Sequence, residues 1–440
     1  MPPSDGCPNI VFIVTDQQNF RMMSCAGNDD LSTPAMDSLA ETGVRFDRAY
    51  CTNPVCVPSR FSLMTGRYPS AIGMWSNNSR DIPPIPEKFK QQGIGWLLRE
   101  AGYETVYGGK VHLPKGIKPE EIGFETIEKD ERDRLAATTA EYVRADHDRP
   151  FFMVASFINP HDICYMAIRD FATSDFDHAL LRNGETELAA LDAALQRPEG
   201  VSDEEFFDSY CPELPPNFQP QEDEPEALRQ LLKQRSFRWQ ARTEWPPERW
   251  REHRWAYARL TERVDAQIGV LLNAIAESGQ AENTVVIFTS DHGDHDSSHK
   301  IEHKTAPYEE AAHIPFLISQ PGTTRNGEAE DALVCNGLDL LPTICDYAGA
   351  EVPSDLKGRS LRPLAEEGKP DDWREELLVE TEIGQALVTD RYKYILCNEG
   401  ENHEQLMDLV EDPWEIRNHA HDPENEEVLE DLRARFRARV

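Results

Sequence analysis

The strongest constraint on the fold is an alternation of short apolar runs with longer stretches of helical periodicity. Residues 9–15 (NIVFIVT), 151–157 (FFMVASF), 284–289 (TVVIFT) and 315–319 (PFLIS) are apolar almost without interruption. Strands covered on both faces of a sheet read this way, because neither face meets water. Helical patterns lie between them. Thr33 and Pro34 open one, with a Thr cap, a first-turn Pro and Gly43 at its end. Residues 89–102, 249–278 and 338–348 carry others, the first of them in spite of Gly93 and Gly95. This order predicts an α/β fold with a large, mainly parallel central sheet flanked by helices.

The texture changes twice. Residues 165–246 are acidic, Pro-punctuated and poor in strand signals, so they read as an insertion between sheet elements and a candidate substrate-specificity region. Past about residue 370, runs at 377–381, 386–389 and 392–397 look like short antiparallel strands, followed by an amphipathic helix over 425–439. The expected organisation is a catalytic domain over 1–366 and a small C-terminal antiparallel subdomain over 367–440. Trp239, Trp245, Trp250 and Trp255 crowd the end of the insertion. They are either a platform for a sugar ring or core.

Composition excludes several classes of function. Asp plus Glu number 80 against 45 Lys plus Arg, a net charge of −35. A surface this acidic repels nucleic acid and anionic membrane, so an anionic substrate would need a local cationic pocket. No apolar run reaches the ~18 residues of a membrane helix. Nine scattered cysteines without a CxxC argue against a disulfide framework and a zinc knuckle. The segment MPPSDGCPNIVFIVTDQQ reads as a strand and not as a signal peptide. The chain as written is therefore expected in the cytoplasm, or in the periplasm or outside the cell where a leader was trimmed.

Four segments carry chemistry, each at the carboxyl end of a strand, where open α/β sheets place their sites. They are Asp16-Gln17; Cys56-Val57-Pro58-Ser59-Arg60 running on to Leu63-Met64-Thr65-Gly66-Arg67; Gly109-Lys110-Val111-His112; and Ser290-Asp291-His292-Gly293, with Lys304 beyond it. Lys110 and His112 alternate and are expected to face one side. A helix beginning near Ser59 would aim its N-terminal N–H groups at Cys56 and an anion.

Cys-x-Pro-Ser-Arg followed by Leu-Met-Thr-Gly-Arg resembles the signature of the formylglycine-dependent sulfatases, members of the alkaline-phosphatase-like superfamily. The other segments match that family in order and spacing, from about residue 8 to 350. The resemblance implies that Cys56 is converted to formylglycine by a formylglycine-generating or sulfatase-maturing enzyme, and that its hydrate is the nucleophile. It implies one divalent metal on Asp16, Gln17, Cys56, Asp291 and His292. Ca²⁺ suits such oxygen donors, while the His292 nitrogen admits Mg²⁺ or Mn²⁺. Arg60, Lys110 and Lys304 would neutralise the sulfuryl oxygens, His161 in Asn159-Pro160-His161-Asp162 would protonate the leaving group, and His112 would act as base. Asn77, Asn78 and His299 are candidate substrate contacts, His299 in a substrate-facing loop. The expected substrate is a sulfated carbohydrate. A phosphonate monoester hydrolase or phosphodiesterase of the same superfamily, and an inactive glycan-binding relative, are the alternatives. Oligomeric state is left open.

Overall fold

The computed structural model describes residues 6–78, 82, 84–114 and 117–439. The strands are β1 (Asn9–Asp16), β2 (Gly43–Phe46), β3 (Ala49–Tyr50), β4 (Glu104–Gly109), β5 (Glu125–Glu128), β6 (Phe151–Pro160) and β7 (Thr284–Ser290) in the first part. They continue as β8 (Phe316–Ser319), β9 (Glu328–Glu330), β10 (Val334–Cys335), β11 (Glu376–Thr381), β12 (Gly384–Thr389), β13 (Tyr392–Cys397) and β14 (Glu404–Asp408). Eight form the central sheet in the order β5-β4-β6-β1-β7-β8-β2-β9. The pairs among β5, β4, β6, β1 and β7 are parallel, and only β8 runs against its neighbours. Every residue of β1, β6 and β7 is buried, as their unbroken apolar runs require.

Each face of the sheet has its own core. Ile10, Phe12, Val14, Phe152 and Ile287 point to one side, towards Leu340 and Ile344 of the helix Asn336–Ala348. Val11, Ile13, Met153 and Phe288 point to the other, towards Val264, Ile268 and Leu271 of the long helix Pro247–Glu277. Strand order puts the carboxyl ends of β4, β6, β1 and β7 side by side. At ~4.8 Å per strand these four ends span roughly 15 Å, so residues far apart in sequence are brought to one edge.

The insertion folds as short helices, with no strand among its residues. It packs on the long helix: Met166, Leu191, Phe237 and Trp245 share a cluster with Trp250, Tyr257 and Leu260. Trp245, Trp250 and Trp255 are buried, which resolves the tryptophans in favour of core. Trp239 is partly buried beneath the Lys233 ammonium. The last four strands form an antiparallel sheet, β11-β12-β13-β14, in which β14 carried no recognised sequence signal. Val379, Val388, Ile395 and Met407 face Tyr50, Leu333 and Leu338 of the preceding chain. Leu378, Leu387, Tyr394 and Leu406 face Leu429, Leu432 and Phe436 of the final helix, Glu426–Arg437.

Two local expectations change. Residues 89–102 are not one helix but two, Glu87–Gln91 and Ile94–Glu100. Gly93 is extended between them, and a Cβ on Gly95 would lie 2.4 Å from the Ile122 carbonyl oxygen, so both glycines serve close packing. Thr33 makes no side-chain cap on the helix Pro34–Glu41. Asp265 of the long helix does so instead, accepting from the N–H groups of Ala35 (3.1 Å) and Met36 (2.9 Å). Cys25, Cys51, Cys56, Cys164, Cys211, Cys335, Cys345 and Cys397 are free thiols. No helix among the described residues is long and apolar enough to cross a membrane.

Candidate active site

Cys56 is the first residue of the helix Cys56–Thr65, every residue of which is buried. Val55 supplies no side-chain cap; the Asn77 carboxamide oxygen accepts from Val57 N at 3.0 Å and takes one of the free N–H groups at the helix start. The Cys56 Sγ lies 3.1 Å from Lys304 Nζ, 3.2 Å from His292 Nε2 and 3.8 Å from Asp16 Oδ1. Asp16, Cys56, Asp291 and His292 are all buried, and one donor atom from each falls within 4.8 Å of the others. Two carboxylates, an imidazole and the residue-56 side chain at this spacing fit a divalent cation.

Cations surround the carboxylates. Arg60 sits one turn into the helix, with Nε on Asp291 Oδ2 (2.8 Å) and Nη2 on Asp16 Oδ2 (3.0 Å). Its Nη1 donates to Ser156 Oγ (2.8 Å) and the Lys110 carbonyl (3.2 Å). Four of the five guanidinium N–H donors are thus occupied. Arg60 therefore spaces the two carboxylates, where the sequence suggested a contact to the sulfuryl oxygens. Lys110 Nζ stands 2.5 Å from Asp16 Oδ2. Burial opposes charge on Asp16, yet Lys110, His161, Lys304 and Arg60 outweigh it and hold the carboxyl well below its usual range. Burial and the neighbouring Asp16 push Asp291 up to about 6, against His292 and Arg60. Burial and Asp16 resist ionisation of Cys56, but Lys304, Lys110 and His292 pull the thiol well below its usual value. Burial, then Lys110 and Lys304, depress His161, which follows β6.

Gln17 adopts a left-handed backbone (φ 70°). The Tyr257 hydroxyl holds that turn, donating to the Gln17 carbonyl at 2.6 Å and accepting from Asn19 N at 3.0 Å. The Gln17 carboxamide oxygen accepts from Lys304 Nζ at 2.5 Å, and Nε2 donates to Asp294 Oδ2 at 2.5 Å. Burial pushes Asp294 up to about 8. Asp294, Cys164, Ser156 and Tyr257 were not singled out from the sequence. Asp294 directly follows the Ser290–Gly293 motif, whereas Ser156 and Tyr257 read only as interior positions of a strand and a helix.

Three expectations differ from the geometry. The extended path ends at Gly109, and His112 has φ 38°, so Lys110 and His112 do not share a face by alternation: Lys110 is buried and His112 exposed. His299 is 1% exposed and packs on the Tyr308 ring with centroids 4.7 Å apart. It lies beneath the surface and not on a substrate-facing loop. Asn77 serves the helix start, and Asn78 is exposed beside it.

A model of the sulfatase family matches residues 8–350, and the C-terminal model of N-sulphoglucosamine sulphohydrolase matches residues 297–439. The chain belongs to the sulfatase family. It is a sulfuric ester hydrolase of the alkaline-phosphatase-like superfamily, and the sulfatase family implies a divalent metal and a formylglycine at the site just described. A Δ4,5-hexuronate-2-O-sulfatase of Bacteroides thetaiotaomicron is 30% identical, over 97% of this chain and 87% of its own. A solved 2-O GAG sulfatase superposes with a TM-score of 0.79 at 28% identity, over 98% of this chain and 91% of its own. The phosphonate monoester hydrolase of Agrobacterium radiobacter shares the sulfatase fold, with a TM-score of 0.75 at 20% identity over 98% and 95% of the two chains.

Proposed function

We propose that this sulfatase removes sulfate from an anionic carbohydrate, with residue 56 acting as formylglycine and Ca²⁺ as the metal. The observation that carries the reading is Cys56 at a helix start, with Lys304, His292 and Asp16 around its Sγ. The names of the 2-O-sulfatase relatives support a sugar substrate. Asp16, Asp291 and His292, with Gln17 and residue 56, would hold the metal, which supplies Lewis-acid charge to a sulfuryl oxygen. As a hydrated aldehyde, residue 56 would offer two hydroxyls, one to take sulfur and one to expel sulfate as the aldehyde reforms.

The chain's own groups do the rest. Lys110 and Lys304 bring positive charge to the ester, while Arg60 keeps Asp16 and Asp291 apart and ionised. His161 is held neutral by burial and by Lys110 and Lys304; an ester anion arriving beside it would offset those charges and shift it towards protonation, where it can serve as acid to the leaving oxygen. His112, exposed after β4, would act as the base that takes the proton from the second hydroxyl as sulfate leaves. Cys56 is only 1% exposed, so a formylglycine-generating enzyme must act before folding buries it.

Peptide mass spectrometry of active protein tests the nucleophile: residue 56 should be ~18 Da lighter than cysteine, and Cys56→Ala should lose turnover. An intact thiol in fully active enzyme sinks the formylglycine reading. Elemental analysis should find one calcium per chain, lost together with activity in Asp291→Asn. Sulfated saccharides should be turned over faster than phosphate diesters or phosphonate monoesters. The reverse order would make the phosphonate hydrolase reading the correct one.

A further inference from the structure

A second hollow, of about 380 Å³, lies between the segment after the Cys56 helix and the C-terminal sheet. Trp75, Tyr68, Lys357 and Arg359 line it, together with Glu380 and Leu387. In a chain of net charge −35, its exposed edge is basic. Two of its other arginines are already committed: Arg374 forks onto both oxygens of Asp339 (2.7 and 2.6 Å), and Arg439 meets Glu376 (2.7 Å). Arg359 pairs with Asp372, whose side chain is 79% exposed, so that pair exchanges readily with solvent. Lys357 is exposed and has no carboxylate within ion-pair distance among the described residues. Of the two acidic members of the wall, Glu376 is held by Arg435 (2.6 Å) and Arg439 (2.7 Å), and Glu380 accepts from Ser70 N at 3.0 Å while burial raises its carboxyl, which weakens its opposition to an anion.

Trp75 is one of few large hydrophobic side chains left exposed, at 39%. A flat, half-open indole in the same wall as Lys357 and the solvent-exposed Arg359–Asp372 pair offers a ring face and charge to one ligand. The hollow is tied to the nucleophile through the backbone. Asn53 Nδ2 donates to the Trp75 carbonyl at 3.3 Å, Glu380 N donates to the Thr52 carbonyl at 2.8 Å, and Asn77 holds Val57 N. Asn53 and Cys56 are three residues apart, at most about 11 Å even when fully extended. One strip of chain, residues 52–57, therefore carries the nucleophile and is hydrogen-bonded to two residues of the hollow's wall.

We propose that this hollow is an outer subsite for a second sugar residue of the same oligosaccharide, with Trp75 stacking on its ring and Lys357 and Arg359 binding its carboxylate or sulfate. The proposal rests on the carbohydrate reading above and extends it: the enzyme prefers oligosaccharides to single sulfated sugars. The volume suits part of a ligand of this size.

The test compares a sulfated glycosaminoglycan tetrasaccharide with a sulfated monosaccharide as substrates for wild type, Trp75→Ala and Lys357→Gln. KM for the tetrasaccharide should rise about tenfold in each variant, with kcat and both monosaccharide constants unchanged. Equal changes on both substrates, or none on the tetrasaccharide, overturn the subsite. Calorimetric titration of the tetrasaccharide into Cys56→Ala protein, with and without Lys357→Gln, separates the two ways of failing. Binding weakened by Lys357→Gln without any sulfate release by wild type sinks the carbohydrate-sulfatase reading alone. Binding indifferent to Lys357 sinks the subsite.

Discussion

Asp16 is where the cations of the site converge, with Lys110 at 2.5 Å, Arg60 at 3.0 Å and Lys304 at 3.9 Å. Those groups divide into two kinds. Arg60 spends its fork on two carboxylates and a serine, whereas the lysines are point charges that can turn to a substrate. Lys304→Ala should lower kcat/KM by ~10²–10³ with little change in folding, the usual cost of losing one charge-stabilising donor. His161→Ala should slow sugar sulfates far more than aryl sulfates, because a phenolate leaves without the proton that an alkoxide needs. Equal losses on both substrates would hand the acid role to Lys304. The site residues on strand ends were legible because their motifs are contiguous. The left-handed Gln17 turn was not, since it depends on a hydroxyl donated by Tyr257 from 240 positions away.

At the scale of elements, the clearest difference between expectation and structure is the cap on Pro34–Glu41. Thr33 has the right residue type, but its hydroxyl is engaged with Ser24, and Asp265 of the long helix receives the two N–H groups. Burial pushes the Asp265 carboxyl up to about 6, its helix contacts notwithstanding. The folded pKa lies above the unfolded value near 3.8, so this group's share of stability is complete below that value. It is lost as pH rises through about 6. Asp265→Asn keeps an acceptor for the helix and removes the titration. Its Tm relative to wild type should therefore climb between pH 4 and 7, by about 1–2 °C. A difference that stays flat with pH would show that Asp265 titrates normally. Gly93 and Gly95 make the same point about elements: apolar periodicity continued through them, and only contact with Ile122 and Phe124 shows where the helix must break.

For the whole molecule, the question is what joins the C-terminal sheet to the rest. Beyond the apolar face already described, Lys393 of β13 is fully buried between Glu309 (2.6 Å) and Glu415 (2.8 Å), and donates to the Pro307 carbonyl. Such a group is costly to bury and costlier to break, because removing the cation strands two interior carboxylates. Lys393→Met should destabilise the protein by about 3–5 kcal/mol, read as a lower urea midpoint with the same slope. A variant as stable as wild type would mean that the carboxylates are already protonated or hydrated.

The sequence by itself determined the α/β class, the main strands, the sulfatase signature and the two carboxylates, Asp16 and Asp291, that the structure gathers around Cys56. Each of these is carried by local pattern: unbroken apolar runs mean two covered faces, and Cys56 to Arg67 is one contiguous motif. Only the tertiary structure decided what each side chain touches. Parallel pairing of β4, β6, β1 and β7 sets Lys110, His161, Asp16 and Asp291 along one edge, and close packing then fixed their partners. It turned Arg60 towards the carboxylates, buried His299 under Tyr308 and bent the chain at His112. Those outcomes depend on distances between residues that the chain keeps far apart, and no local pattern encodes such distances.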